Sequence, residues 1–185
     1  YEGLFCCGGN DYYKYHGNFP MGIQKFKPLR LNEFTQEYYN EFTPPTDLIK
    51  FLEEQLEHSP YQVRAGNHIE NRGSMLNFSI VGRDCSDEQR EDYFQYDLQS
   101  KEREIISQWV NQRWPDITAV IGGQISIDIA PKGNDKSQVL PYIQSEHPNQ
   151  HYCFIGDRTM PGGNDYPLAN LMSTQDNCSV YQAGQ

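Results

Sequence analysis

Residues 117–136 read ITAVIGGQISIDIAPKGNDK, and the predicted fold is built around this stretch. Apolar residues alternate with small or polar ones over 117–121 and again over 124–130, which is the period-two pattern of a strand with one buried face. A Gly-Gly pair separates the two runs, and that arrangement is typical of a β-hairpin. The centre of the chain is therefore predicted to contain an antiparallel sheet.

The segments before this hairpin predict a further strand and the first helix. Leucines recur every four residues over 46–59, which indicates an amphipathic helix with Thr46 as its N-cap. The stretch MLNFSIVG, residues 75–82, changes to period two, with Asn77 and Ser79 on the solvent side of a strand. Helix and sheet are thus interleaved in this half of the chain.

Two more helices and two terminal segments complete the predicted fold. The S-x-x-Q sequence at 86–89 is a capping box. The longer helix that follows carries Ile105, Ile106, Trp109 and Val110 on one face. Residues 1–27 fit a strand, a turn and a second strand, and 152–155 fit a short buried strand. The middle is predicted to be α+β, and the tail resembles the end of an α/β sheet.

Composition narrows the function classes. The formal net charge is −10 and no block of Lys or Arg occurs, which argues against nucleic-acid binding. No apolar run approaches the roughly 20 residues of a membrane span, and no signal peptide begins the sequence. The five cysteines form no C-x-x-C pair, so neither a disulfide framework nor a zinc site is indicated, and a cytoplasmic protein is expected.

Carboxylates after the predicted strand at 152–155 are candidate metal ligands. Asp157 follows that strand directly, and the turn PGGND supplies Asn164 and Asp165 shortly after. Ligands bind at the carboxyl ends of strands in open α/β sheets, and Mg²⁺ prefers oxygen ligands of this kind. An ordinary Asx turn made by the same residues is an equally good interpretation.

Four basic residues are candidates for binding phosphate. Arg72, Arg83 and Arg90 lie on a strand end, a turn and a first helical turn, which can bring their guanidinium groups to one patch suited to phosphate. Lys136 opens a predicted helix and can neutralise phosphate charge near a metal. The alternatives are three separate surface arginines and one solvated lysine.

Ser126 and Asp128 share the polar face of the second hairpin strand. Together they can hydrogen-bond the hydroxyl groups of a sugar, and an ordinary wet sheet face is the alternative. The five histidines show no metal-ligand spacing, and no Ser-His-Asp or Cys-His arrangement can be argued.

Three segments carry a resemblance to a known family. RGSMLNFSIVGRDCSDEQRE at 72–91, IGGQISIDIAPKGNDK at 121–136 and FIGDRTMPGGND at 154–165 resemble consecutive signature segments of eukaryotic-type phosphomannomutases, in the haloacid dehalogenase superfamily. YEGLFCCGGNDYYKYHG at 1–17 resembles the strand and turn that precede the cap domain in that family.

The resemblance implies a partial haloacid-dehalogenase-like (Rossmannoid) α/β core with an inserted α+β cap built on an antiparallel sheet. The core pieces would be 1–27 and 133–185, and the cap would be 28–132. It also implies interconversion of mannose 6-phosphate and mannose 1-phosphate through a phosphoaspartate, with Mg²⁺, a bisphosphorylated hexose activator and a homodimer formed by the cap.

The resemblance also assigns roles residue by residue. Cap arginines that hold the non-reacting phosphate match Arg72, Arg83 and Arg90, and the residues that contact the bound sugar phosphate match Ser126 and Asp128. The lysine of the core matches Lys136, and the Mg²⁺ ligand and its neighbouring loop match Asp157, Asn164 and Asp165.

Two departures from the family pattern leave alternatives open. The D-x-D-G-T segment, which holds the nucleophile and the acid/base, does not occur and is expected upstream of Tyr1 or on another polypeptide. The stretch YPLANLMSTQDN at 166–177 lacks the acidic residue of a second cation site. A non-catalytic sugar-phosphate-binding or scaffold protein and a sugar phosphatase of the same superfamily are therefore the alternatives.

Overall fold

A computed structural model of the protein describes residues 3–15 and 34–184. Its strands are β1 Gly3–Cys6, β2 Asp11–Tyr15, β3 Phe34–Tyr39, β4 Ile69–Asn71, β5 Leu76–Phe78, β6 Ile117–Gly122, β7 Ser126–Pro131, β8 Tyr152–Gly156 and β9 Cys178–Gln182. Its α-helices are α1 Thr46–His58, α2 Asp87–Ser100, α3 Glu102–Arg113, α4 Val139–Glu146 and α5 Tyr166–Met172.

The predicted hairpin lies in a four-stranded antiparallel sheet of order β4-β5-β7-β6. Gly122 pairs with Ser126, so the connection has three residues, of which Gly123 has φ +50°. A positive φ is readily adopted by glycine, and this turn therefore follows directly from the Gly-Gly pair. We call the region from α1 to β7 the central unit.

One face of the central sheet packs against the three helices of the unit. The core contains Leu48 and Leu52 of α1, Tyr93 of α2, and Ile127 and Ile129 of β7. The leucine period in α1 and the isoleucine period in β7 therefore meet across one interface, as expected for a helix stripe on a sheet face.

The starts of two helices differ in how they are capped. Ser86 and Gln89 form the predicted capping box, and α2 begins at Asp87. Thr46, in contrast, was predicted to be an N-cap and lies inside α1, with Pro45 at the cap and no side-chain cap bond. The prediction for Thr46 was wrong because a proline before the helix already fixes its φ angle near the helical range.

Several predictions about exposure in the central unit also need correction. Asn77 and Ser79 were expected to face solvent and are 3% and 1% exposed. The Asn77 amide donates to Asp128, and the Ser79 hydroxyl accepts from the Gly82 N–H, so both residues have partners inside the protein. On α3 only half of the predicted apolar face is buried, because Ile105 and Trp109 are exposed whereas Ile106 and Val110 are not.

Residues 136–182 form a smaller region that we call the C-terminal unit. β8 and β9 are parallel neighbours, and Leu140, Tyr152, Leu168 and Met172 form the buried cluster between the strands and helices. The predicted strand is present, but it is not buried on both sides, since Ile155 is 67% exposed. The predicted helix that Lys136 opens begins with a single 3₁₀ turn, capped by Asp135, and continues as α4.

The remaining strands form an N-terminal antiparallel sheet of order β1-β2-β3. The strand, turn and strand predicted within 1–27 correspond to β1, a 3₁₀ turn at Cys7–Gly9, and β2. β3 pairs with β2, so this sheet continues beyond residue 27 to Tyr39. The part of the prediction that concerns 16–33 lies outside the described residues.

The mixed α/β fold is confirmed, with an antiparallel sheet at its centre and a parallel strand pair near its end. Within 3–15 and 34–184, we find no helix with the length and apolar character that crossing a bilayer requires.

Candidate functional site

Four of the predicted site residues line one cavity of about 150 Å³. They are Arg72, Asp128, Lys136 and Asn164, and the turn after β1 contributes Cys7 and Gly8. The cavity therefore lies where the N-terminal sheet, the central unit and the C-terminal unit meet. Sequence patterns alone could not show that these residues share a cavity, because they are far apart in the sequence. Arg72 and Asn164, for example, are separated by 92 positions.

Asp128 connects the central sheet to the C-terminal unit. It stands opposite Asn77 on β5 and opposite Val120 on β6. The Asn77 amide donates to Asp128 Oδ1 at 2.7 Å, and the Asn164 amide donates to Oδ2 at 3.4 Å. The carboxylate is thereby held by one neighbour on its own sheet and by one residue from the loop before α5.

Lys136 and Asp165 form an ion pair beside the cavity. The Lys136 ammonium donates to Asp165 Oδ1, and the backbone N–H of Arg158 donates to Oδ2 at 3.1 Å. The Asp165 side chain is almost fully buried, whereas that of Lys136 is one-third exposed. Burial alone would raise the pKa of Asp165, but the hydrogen bonds and charge of Lys136 and the Arg158 N–H together hold that pKa below its usual value.

Gly156 leaves the space that the Asp165 carboxylate occupies. A Cβ atom added at Gly156 would lie 2.6 Å from Asp165 Oδ2, so a larger residue at the end of β8 would displace this carboxylate. Asp157, the next residue, is exposed. It lines a separate and larger cleft of about 1210 Å³ instead of the cavity that contains Lys136.

Two of the three predicted arginines, Arg72 and Arg83, share one carboxylate. Arg72 donates to Glu70 Oε2 through Nε at 3.0 Å and through Nη2 at 2.6 Å. Arg83 Nε lies 3.7 Å from the same oxygen. Arg90 is half-buried in the first turn of α2, and within the described ranges it is not among the arginines that pair with Glu70.

Ser126 lies on the same face of β7 as Asp128 but does not line the cavity, and it is 6% exposed. The predicted wet sheet face is therefore covered at this position. Its carbonyl accepts from Arg103 Nη1 at 3.4 Å, and Arg103 is itself paired with Asp97 at 2.8 Å in the interior. The backbone of the hairpin is thus fixed by a buried ion pair that the sequence analysis did not identify.

Glu70 and Asn77 were also missed as members of the site. Glu70 precedes Arg72 by two positions, a spacing that puts both side chains on one face of a strand, and this signal was readable in the sequence. Asn77 gave no such signal, because only the pairing of β5 with β7 places it opposite Asp128.

Contacts at the hairpin tip join the central unit to the loop after β8. Arg158 Nη2 donates to the Gly123 carbonyl at 2.6 Å, and Ile121 forms a parallel bridge with Gly163. Together with the Asn164–Asp128 bond, these contacts hold the 157–165 loop against the central sheet.

The Arg72 guanidinium, the Asp128 carboxylate and the Lys136 ammonium border one cavity, and guanidinium and ammonium groups are suited to phosphate oxygens. The profile of the eukaryotic phosphomannomutase family matches residues 10–179. The chain belongs to this family, which confirms the resemblance inferred from its three signature segments.

Individual relatives agree with the family profile. The chain is 42% identical to a phosphomannomutase of Encephalitozoon cuniculi over 137 residues, which cover 73% of this chain and 51% of the relative. It is 37% identical over 122 residues to one of Drosophila melanogaster, covering 65% and 48%. It is 34% identical over 161 residues to one of Spinacia oleracea, covering 86% and 60%. The chain thus spans about half the length of the curated relatives it matches.

A solved structure of an N-terminally truncated IMP-nucleotidase from Plasmodium falciparum aligns with 94% of this chain at 14% identity. The TM-score of 0.43 is too low to carry a structural argument.

Proposed function

We propose that the chain is part of a phosphomannomutase that interconverts mannose 6-phosphate and mannose 1-phosphate through a phosphoaspartate and a bisphosphorylated hexose. The observation that carries this proposal is the cavity shared by Arg72, Asp128, Lys136 and Asn164. A cationic group from the central unit and one from the C-terminal unit border the same space, as a ligand with a phosphate at each end requires.

In this proposal the central unit binds the end of the sugar that does not react. Arg72 and Arg83 offer guanidinium groups to one phosphate, and Arg90 adds a third cation from α2. Asp128 accepts hydrogen bonds from sugar hydroxyls, and Ser126 orients the strand that carries it. The support is the shared ion pairing of Arg72 and Arg83 with Glu70 and the position of Asp128 on the cavity wall.

In this proposal the C-terminal unit binds the phosphate group that reacts. Lys136 places positive charge next to that group, where it stabilises the charge that develops during transfer. Asp165 holds the ammonium in position and is itself fixed by the Arg158 N–H. Because Asp165 is buried and already paired, its role in this proposal is to orient Lys136.

The residues of the 157–165 loop fit a Mg²⁺ ion as contributors to its coordination. Mg²⁺ is commonly held by one or two carboxylates together with phosphate oxygens and waters. The described residues contain no cluster of three or more His, Cys, Asp or Glu side chains suited to a metal. Asp157 is exposed and would supply one carboxylate, and Asn164 and Asp165 belong to the same loop. When bound, the ion would neutralise phosphate charge.

The nucleophilic aspartate is proposed to lie outside these 185 residues, since no D-x-D occurs in them. The strand β3 is proposed to belong with the core, because it pairs with β2, and the cap is proposed to end near Lys132, after β7. A homodimer formed by the cap and a cytoplasmic location complete the proposal. The five free cysteines are consistent with a reducing compartment.

The test is to follow mannose 1-phosphate by ³¹P NMR with the full-length product of the gene, Mg²⁺ and a catalytic amount of a hexose bisphosphate. Mannose 6-phosphate as the main product is expected. Free phosphate as the main product would identify a phosphatase instead, and binding without turnover would identify a sugar-phosphate-binding protein.

A binding variant tests the site directly. Arg72→Ala is expected to weaken mannose 1-phosphate binding at least tenfold, about 1.4 kcal/mol, through loss of a charge-assisted contact. Arg113→Ala is the matched control, since Arg113 stacks on Trp114 and does not line the cavity. Equal affinities of the two variants in calorimetry would contradict the assignment of the phosphate to this cavity.

A further inference from the structure

We propose that Glu70 is a positioning residue of the phosphate site, which holds the Arg72 and Arg83 guanidinium groups in their binding orientation before the ligand arrives. This inference rests on the proposed function, because it concerns the same phosphate. Glu70 does not touch the ligand and acts only through the two arginines.

The contacts place both guanidinium groups on a single carboxylate oxygen. Arg72 uses Nε and Nη2 for Glu70 Oε2, at 3.0 and 2.6 Å. Arg83 approaches the same oxygen with Nε at 3.7 Å. Within the part of the chain that the structure describes, Arg72 Nη1 makes no hydrogen bond, so its two N–H groups are available for phosphate oxygens.

Strand register puts Glu70 on the ligand side of the central sheet. Glu70 pairs with Asn77, and Asn77 pairs with Asp128, so the three residues form one row across β4, β5 and β7. Residues directly opposite each other in a sheet project from the same face. Glu70 therefore projects from the face that carries the cavity-lining Asp128, about 10 Å away at the usual strand spacing.

The backbones of the two arginines are fixed by tight turns. Arg72 begins the turn between β4 and β5, and its N–H bonds to the Met75 carbonyl at 2.9 Å. The N–H of Arg83 bonds to the Asn67 carbonyl at 2.9 Å, directly after Gly82 with φ +91°. With the backbones held, the remaining freedom is in the long side chains, and the shared carboxylate restrains both of them.

The negative charge of Glu70 and its effect on the orientation of the arginines should change the affinity for phosphate in opposite directions. A carboxylate beside an anion site repels the phosphate, so charge alone predicts that removing it strengthens binding. Preorganisation predicts the reverse, because an arginine that must be ordered at the moment of binding gives up affinity. The two effects have opposite signs, and the sign of the measured change therefore decides between them.

The experiment is calorimetric titration of the full-length protein with mannose 1-phosphate. Glu70→Ala is expected to weaken binding about tenfold despite the more positive site, Glu70→Gln less so because its amide oxygen still accepts a hydrogen bond, and Glu70→Asp least. Glu53→Ala removes the same charge from an exposed position of α1 and is expected to bind as the wild type does.

A double-mutant cycle separates positioning from a general structural role. If Glu70 acts through the arginines, Glu70→Ala should add little to the loss already caused by a combined Arg72→Ala and Arg83→Ala change. Full additivity, or tighter binding by Glu70→Ala and Glu70→Gln, would overturn the inference while the proposed function stands. Absence of binding by the wild type would instead overturn both.

Discussion

The central unit and the C-terminal unit place their functional residues differently with respect to their cores. In the central unit a large apolar cluster lies between the sheet and three helices, and Arg72 and Arg83 stand outside it on turns. In the C-terminal unit the buried cluster consists of four residues, and the buried Asp165 contributes both to the loop structure and to the site. In the central unit, the residues proposed to bind the ligand are thus distinct from the core. In the C-terminal unit, a single buried residue takes part in both the fold and the proposed site.

The largest effect is expected from the core of the central unit. Phe78→Ala should lower the free energy of unfolding by about 3–5 kcal/mol, because it leaves a cavity where a fully buried ring packs. Urea unfolding followed by tryptophan fluorescence measures this change. Both tryptophans of the chain, Trp109 and Trp114, lie in or next to α3, so the signal reports the central unit alone.

Leu140→Ala is the matched variant in the smaller core. Its cluster is separate from that of Phe78, so the tryptophan-detected midpoint should stay near that of the wild type. A shift as large as that of Phe78→Ala would show that the two cores unfold as one cooperative unit, and the comparison between them would fail.

A smaller, pH-dependent effect is expected at the Lys136–Asp165 pair. Asp165→Asn should destabilise the protein by about 1–3 kcal/mol at neutral pH, less than for a fully buried pair because Lys136 is one-third exposed. The folded-state pKa of Asp165 is lowered, so the ionised carboxylate stabilises the fold at every pH above the unfolded-state pKa of about 3.9. This stabilisation is lost as the pH falls through the folded-state pKa.

Thermal unfolding between pH 7 and pH 2 checks this sign. The difference in stability between wild type and Asp165→Asn should be full near neutrality and should shrink below about pH 4. A difference that grows on acidification would mean that Asp165 is not held as a carboxylate by Lys136.

The smallest effect is expected at the start of α2. Ser86→Ala removes the hydroxyl that accepts from the Gln89 N–H, and it should cost about 1 kcal/mol of stability. The same fluorescence-detected unfolding measures it, with Thr46→Ala as a control, since Thr46 is exposed at the start of α1 and no side chain caps that helix. Equal effects of the two substitutions would argue against a capping contribution.

Local sequence patterns were sufficient to predict structural features that depend on a single helix or turn. The Gly-Gly pair predicted the β6–β7 hairpin, the S-x-x-Q sequence predicted the α2 capping box, and the leucine period predicted α1. Each of these signals concerns hydrogen bonds or packing within a few residues, where sequence spacing and spatial distance are closely related.

Predictions that depended on neighbouring elements were less successful. Asn77 and Ser126 read as solvent-facing because alternation gives the face of a strand but not what covers it. Likewise, the expected patch of three arginines stays a prediction for Arg90, whereas Arg72 and Arg83 meet through a glutamate that the sequence analysis did not single out. The positions of Asp157, Lys136 and Asp128 relative to one another follow from how the units pack, which spacing cannot give.

The cavity bordered by Asp128 and Asn164 limits the size of the ligand that it can hold. The cavity of about 150 Å³ is smaller than ordinary small-molecule pockets, which hold roughly 300–1,000 Å³. Asn164, which lines it, hydrogen-bonds to Asp128 on the opposite side and belongs to the loop that Arg158 and Gly163 join to the hairpin tip. Under the proposed function, a hexose bisphosphate must reverse its orientation between two phosphoryl transfers. Such a reversal needs more volume than this cavity offers, so under that function Asn164 and Asp128 have to separate between the two transfers.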